Sequence, residues 1–204
     1  MISARKLSLV RGEKIVLENF SIDIQLGQIT AILGPNGCGK STLLAALSGD
    51  LQPATGDISL DDRPINEYSI AQLARIRAVS SQSQRFSLAF TVEQILEMSL
   101  LRSGNEESTS NAIQALNIAH LLGRKVTTLS GGEQQRVGIA MAIAQATPYL
   151  FLDEPFAAQD LESITRIQKF LRELAVQGVG VVVVAHAQED SLDWCDVKVR
   201  LPIR

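Results

Sequence analysis

Nine consecutive residues carry the plainest chemistry in the sequence: Gly34, Pro35, Asn36, Gly37, Cys38, Gly39, Lys40, Ser41 and Thr42. They fit G-x-x-x-x-G-K-[ST], a loop that wraps phosphate groups. Glycines let the backbone curl until its N–H groups converge on the anion, and a following helix N-terminus adds positive potential. Lys40 can reach the β- and γ-phosphates of a nucleotide such as ATP, and the Ser41 hydroxyl can ligate Mg²⁺. A chance glycine-rich turn would need no particular flanks. Here apolar Ile29, Ala31, Ile32 and Leu33 read as a buried strand before the loop. Leu43 to Leu47 read as a helix after it, closed by Gly49.

A second cluster of chemistry ends another apolar run. Tyr149 to Leu152 leads into Asp153 and Glu154. Beside a phosphate loop, Asp153 suits the Mg²⁺ shell opposite Ser41. Glu154 would then point past the metal, where it could accept a proton from attacking water. Alone, the pair could be a solvated turn before Pro155. Ligands of open α/β sheets bind beyond the carboxyl ends of the strands. Four candidate groups end predicted strands: the loop after Leu33, Gln82 after Val79, Asp153-Glu154 after Leu152, and His186 after Ala185. A lone sheet-end histidine is usually structural, but the place of His186 in this series makes it a candidate too.

The elements that must position these groups follow from periodicity. Ser3 to Gly27 reads as short strands with a turn at Arg11 to Lys14; Phe20, Ile22, Ile24 and Leu26 alternate with polar residues. Gln52 to Asp57 reads as a turn cluster, Ile58 to Leu60 as a short strand, and Ser69 to Arg77 as a helix capped by Ser69. Thr91 caps a helix over Val92 to Leu101. Ser103 to Ser110 is polar and reads as a loop before a helix over Asn111 to Leu122. Leu129 to Arg136 opens a helix that runs to Ala146, Leu161 to Val176 forms an amphipathic helix stopped by Gly178, and Gly180 to Ala185 is a β-branched run suited to a parallel sheet. His120 reads as a packing or surface residue. Strands alternating with helices predict an α/β fold. With no internal repeat or linker, residues 1–204 are expected to form one domain.

Composition sets the outer bounds. The chain has 204 residues, 46% hydrophobic and 20% charged, enough for one sizeable core. Net charge is −3 and no basic block appears, which argues against nucleic acid as the main partner. Cys38 and Cys195 suggest no disulfide framework. Cys38 is either a redox-sensitive point in the loop or a small filler. No apolar run approaches the length of a transmembrane helix, and Met1 to Val10 lacks a signal-peptide core, so any membrane role is expected to be peripheral or through a partner.

Leu129-Ser130-Gly131-Gly132-Glu133 resembles the signature motif of ABC ATPases. With the phosphate loop before it and Asp153-Glu154-Pro155 and His186 after it, order and spacing are similar to those of ABC transporter ATP-binding subunits over essentially the whole chain. The resemblance implies a P-loop NTPase core with a parallel sheet, an N-terminal antiparallel β subdomain, and a helical signature subdomain inserted at roughly residues 84–146. It implies a head-to-tail dimer, homomeric or heteromeric, that sandwiches two ATPs. Ser130, Gly131 and Gly132 of one subunit would face the γ-phosphate held by the partner. That agrees with the residues themselves, since a serine and two glycines at a helix start form an anion site. By the same resemblance Gln82 touches Mg²⁺ and reports to a membrane subunit, and Asp160 is the aspartate of the loop that crosses the dimer. There Ala157-Ala158-Gln159 departs from the common Ser-Ala-Leu. The early strands of the family supply an aromatic that stacks on adenine; the matching place here holds Arg11.

The activity implied is ATP hydrolysis coupled to transport through integral-membrane subunits, with the chain at the cytoplasmic face. The loop sequence and Phe90-Thr91-Val92-Glu93 look most like importers of iron–siderophores, haem or cobalamin, which also use a substrate-binding protein. Arg85 to Phe90 either packs in the helical region or forms a groove for the membrane subunit. Alternatives are an efflux ATPase, a soluble ATPase acting on DNA or ribosomes, and a regulatory module without turnover. The single motif set and acidic balance disfavour the DNA or ribosome reading. The presence of Lys40, Glu154 and His186 disfavours the regulatory one.

Overall fold

The computed structural model describes residues 1–81, 86–103, 105–157, 159–185 and 192–202. Alternation builds the first layer. Strands β1 (Ile2–Arg11) and β2 (Lys14–Ile24) form an antiparallel hairpin whose turn uses Gly12 at φ +62°. Ile2, Ala4, Leu7 and Leu9 point inward from β1, and Leu17, Ile22 and Ile24 from β2. The skip from Ala4 to Leu7 is a bulge, with Lys6 at φ +49° and a register shift between Ala4 and Leu7. β4 (Thr55–Leu60) and β5 (Arg63–Pro64) complete this sheet in the order β2-β1-β4-β5.

The expected turn at Gln52 to Asp57 is shorter than its composition suggests. Thr55, Gly56 and Asp57 already belong to β4. Gly56 is there because β1 passes close at its bulge: a Cβ at Gly56 would lie 2.5 Å from the carbonyl oxygens of Arg5 and Lys6.

The second sheet is parallel, in the order β6-β7-β8-β3-β9. Its strands are β3 (Ile29–Leu33), β6 (Arg77–Ser80), β7 (Tyr149–Asp153), β8 (Gly180–Ala185) and β9 (Val197–Arg200). β3, β7 and β8 are buried at every residue, as a sheet covered on both faces requires. Alternate residues feed two cores. Ala31, Leu33, Leu150, Leu152, Val181 and Val183 face the helices of the signature region and α6 (Leu161–Val176). Ile32, Phe151, Val182 and Val184 face α1 (Lys40–Leu47) and the antiparallel sheet.

Register then brings the strand ends together. Leu33 pairs with Ala185, Asp153 with Val184, and Ser80 with Leu152. The carboxyl ends of β6, β7, β8 and β3 therefore form one edge, the edge expected to carry the chemistry.

Between β6 and β7 run α3 (Val92–Ser103), α4 (Glu106–Ala115), two 3-10 turns and α5 (Gly131–Ala144). The polar stretch expected as a loop over Ser103 to Ser110 is instead largely helix. The Asn105 side chain accepts from the Ser108 N–H at 2.8 Å, and Glu106 and Glu107 occupy the first turn. Caps and acidic residues stabilise a helix start without apolar residues, and most of this turn faces solvent. α2 (Ile70–Ile76) is capped by Ser69 as expected, with Gln72 completing a capping box. Thr91 caps α3 through the Gln94 N–H at 3.2 Å. None of the helices described is long and apolar enough to cross a membrane.

Candidate active site

β3 delivers the chain to the sheet edge, and the glycines then turn it. Gly34, Gly37 and Gly39 have φ of +150°, +75° and +100°. At Gly34 space is also limiting, because a Cβ would sit 2.6 Å from Cys38 Sγ. The Cys38 thiol is buried under the loop, so Cys38 packs rather than presenting sulfur to a ligand. Gly39 precedes α1, and no side chain caps that helix start. A helix start without a side-chain cap is what an anion site needs. Lys40 is buried, and its Nζ donates to the carbonyls of Gly34 (2.7 Å) and Pro35 (2.9 Å). The ammonium is held across the loop that has to receive phosphate.

A cleft of about 540 Å³ opens over this loop. Asn36, Gly37, Gly39, Lys40, Ser41 and Thr42 line one side, Arg11 and Val16 come from the β1–β2 hairpin, and Glu154 comes from the end of β7. Gly34, Pro35 and Cys38 do not line the cleft. A larger cleft, about 890 Å³, lies between α4, the end of α5 and α6, and none of the predicted site residues lines it.

Asp153 ends β7 and is buried. Glu154 takes φ +51°, a left-handed conformation that non-glycine residues rarely adopt. Its N–H donates to Val184 O at 3.0 Å, so the neighbouring strand β8 fixes the turn. Its carbonyl accepts from the Gln135 side-chain amide of α5. Strain of this kind collects at sites where a side chain must be aimed.

The signature segment begins α5. Ser130 Oγ accepts from the Glu133 N–H at 3.3 Å, and Glu133 accepts from the Ser130 N–H at 2.7 Å. These two bonds close a capping box around the start of α5. Ser130 and Gly131 are exposed and Gly132 is half-buried. The Ser130 hydrogen bonds hold the Glu133 carboxyl below its ordinary range, with Arg124 and Arg136 adding to the effect. Arg124 contacts Glu133 at 3.2 Å. Ser130, Gly131 and Gly132 do not line the cleft over Lys40.

Asp160 caps α6, accepting from the Ser163 N–H at 2.7 Å. That bond holds its carboxyl below the usual range. Gln82 and His186, predicted at the ends of β6 and β8, lie outside the described residues, as do Arg85 and Ala158. Gln159, visible in the sequence only as a departure from the family pattern, and Gln135, which sequence reasoning passed over, belong to the region. Gln159 bonds Gly132 O at 3.0 Å, Gln135 Oε1 at 3.3 Å and Arg136 Nη1 at 3.0 Å. Gln135 bonds the Glu154 carbonyl. The spacing of Gly132, Gln135 and Arg136 at i, i+3 and i+4 put them on one helical face, a signal available in the sequence.

Comparison with known proteins identifies the family. A sequence model of the ABC transporter family matches residues 17–157. The hemin import ATP-binding protein of Hahella chejuensis is 42% identical over 207 residues, covering 96% of this chain and 81% of the relative. That of Shewanella denitrificans is 37% identical, covering 96% and 82%. A solved dimeric structure of a bacterial ABC transporter cassette superposes with a TM-score of 0.84 at 26% identity, covering 98% of this chain and 94% of the other. The chain belongs to the ABC transporter family, as an ATP-binding and ATP-hydrolysing subunit.

Proposed function

We propose that this subunit hydrolyses ATP at the cleft over Lys40, in a head-to-tail dimer, to drive import of haem or a related iron chelate through integral-membrane partners. The observation that carries the site is Glu154, which leaves β7 in a left-handed turn and lines the same cleft as the phosphate loop. Lys40, already poised over the loop, would transfer its hydrogen bonds from the Gly34 and Pro35 carbonyls to the β- and γ-phosphates. The donor set fits a hard cation, because Ser41 and Asp153 both offer oxygen. Among the described residues no group of three or more His, Cys, Asp or Glu would hold a metal unaided, so phosphate oxygens would complete the shell. Mg²⁺ held there would neutralise charge on the phosphates. Glu154 would accept the proton of the attacking water, and Gln82 and His186 are assigned to the Mg²⁺ shell and the γ-phosphate from their order in the sequence. Ser130 and the Gly131 and Gly132 amides would bind the γ-phosphate held by the partner subunit. Asp160 would lie at the crossing between subunits, and Arg11 beside the base.

The iron-chelate reading rests on the relatives from Hahella and Shewanella. A peripheral position on the cytoplasmic face, next to membrane subunits and fed by a substrate-binding protein, goes with it. Leu88 is 64% exposed and Phe90 38%, an apolar pair available to a membrane partner. Phe86 is half-buried against the helical core and belongs to the fold.

Single-turnover measurements test the site. Lys40→Ala should weaken ATP binding. Glu154→Gln should bind ATP normally and lose roughly two to four orders of magnitude in turnover. Near-normal hydrolysis by Glu154→Gln would assign the base elsewhere.

A further inference from the structure

Glu154 has its peptide fixed from both sides. Its N–H is bound by Val184 of β8, and its carbonyl receives two donors, the Ala157 N–H at 3.2 Å and the Gln135 side-chain amide. Gln135 is buried, 9% exposed, in the second turn of α5. Its own oxygen accepts from Gln159 Nε2 at 3.3 Å, and the same nitrogen donates to Gly132 O at 3.0 Å. Gln159 Oε1 accepts from Arg136 Nη1 at 3.0 Å. The orientation of both amides is set chemically. Arg136 can only donate, while the carbonyls of Gly132 and Glu154 can only accept. A chain of hydrogen bonds therefore runs from the first turn of α5, through Gln159 and Gln135, to the backbone of Glu154.

We propose that Gln135 and Gln159 are positioning residues for hydrolysis. They hold the Glu154 peptide in its left-handed turn, so that its carboxylate faces the cleft, and they tie that aim to the start of α5. This rests on Glu154 being the base. Gln159 occupies the place where the family commonly has leucine, which could make none of these bonds. The first turn of α5 is also where the partner's nucleotide would press in the proposed dimer. Displacement of Gly132 there would be passed to the base of the same subunit.

Steady-state ATPase of the purified full chain, with thermal melts, tests this on Gln159→Leu, Gln159→Glu, Gln135→Met and the double variant Gln135→Met/Gln159→Leu. Misaiming a reacting group by about an ångström can cost up to about a hundredfold. kcat should fall about ten- to hundredfold in each, with KM for ATP within about twofold and melting unchanged. Gln159→Glu should be as impaired as Gln159→Leu, because it keeps the acceptor for Arg136 and loses the donor to Gln135. The residues act in series, so the double variant should be no slower than Gln135→Met alone. Unchanged kcat, multiplicative losses, or kcat, KM and melting temperature shifting together would overturn the proposal. The Gln159 variants decide the matter alone if Gln135→Met fails to fold. Lys40→Ala and Glu154→Gln run alongside. If those two abolish turnover and the glutamine variants do not, only the positioning role fails. If they leave turnover intact, the assignment of the site itself fails.

Discussion

Arg11 ends β1 at the rim of the phosphate cleft, at the place where the family resemblance implies an aromatic over adenine. Phe20, the aromatic nearest in sequence, is half-buried against the core beneath the hairpin and is occupied there. A guanidinium can lie flat on a purine, but it has no reason to prefer adenine to guanine. Most of the affinity would then come from phosphate contacts shared by all nucleoside triphosphates. ATP and GTP should bind within about tenfold of each other, equivalent to about 1.4 kcal/mol. Arg11→Ala should weaken both together. Titration of the purified protein with the two nucleotides is the check, and a preference for ATP far beyond tenfold would mean that another residue reads the base.

Among elements, β3 has to hold the phosphate loop in register, and its first residue is anchored from a distance. Asp196, just before β9, accepts from the Ile29 N–H at 2.8 Å and from Arg172 of α6 at 2.6 Å. The Arg172 hydrogen bond is the main cause that holds the Asp196 carboxyl below its ordinary 3.8, and the Ile29 N–H adds to it. A carboxylate whose folded value is depressed adds stability at pH above its unfolded value and loses that contribution as pH falls through the folded one. Asp196→Ala should therefore cost about 1–3 kcal/mol at pH 7, the usual loss when a buried donor is left unmatched. The gap between wild type and variant should narrow below about pH 4. Urea unfolding at both pH values measures it; a gap that stays constant would assign the effect to packing. The same scale shows what the sequence makes legible. α6 and β8 run over the expected residues, because Asp160, Gly178 and the β-branched run are local signals. α4 was hidden because its first turn is stabilised by a cap and by charge rather than by apolar spacing. Gly56 looked like a turn because its reason for being glycine, the bulge of β1, lies about fifty residues away in sequence. Gln159 was visible as a departure from the family pattern, but its partners Gly132 and Gln135 are set by tertiary contact.

At the scale of the whole molecule, the phosphate loop and the signature segment do not share a cleft. The cleft over Lys40 is lined by the phosphate loop, the hairpin and Glu154, while Ser130, Gly131 and Gly132 open α5 elsewhere. Ser130 and Gly131 are exposed at a helix start, which suits an anion, and a twofold axis can bring each signature to the other subunit's loop. In that arrangement every ATP would need Lys40 from one chain and Ser130 from the other. Lys40→Ala and Ser130→Arg should each abolish hydrolysis as homodimers. In a mixed dimer, one site combines both lesions, and the other combines the intact Lys40 of the second chain with the intact Ser130 of the first. Mixing the two inactive proteins should restore part of the wild-type ATPase activity, up to about half if the sites turn over independently. Differently tagged subunits, purified through both tags, ensure that the dimers assayed are mixed. If such dimers form and hydrolyse no ATP, then either each chain uses its own signature or one damaged site silences both. Adding a third dimer, wild type with the double variant Lys40→Ala/Ser130→Arg, separates these. There each site carries one lesion, so the composite arrangement requires it to be inactive, and activity confined to this pairing would sink the composite site.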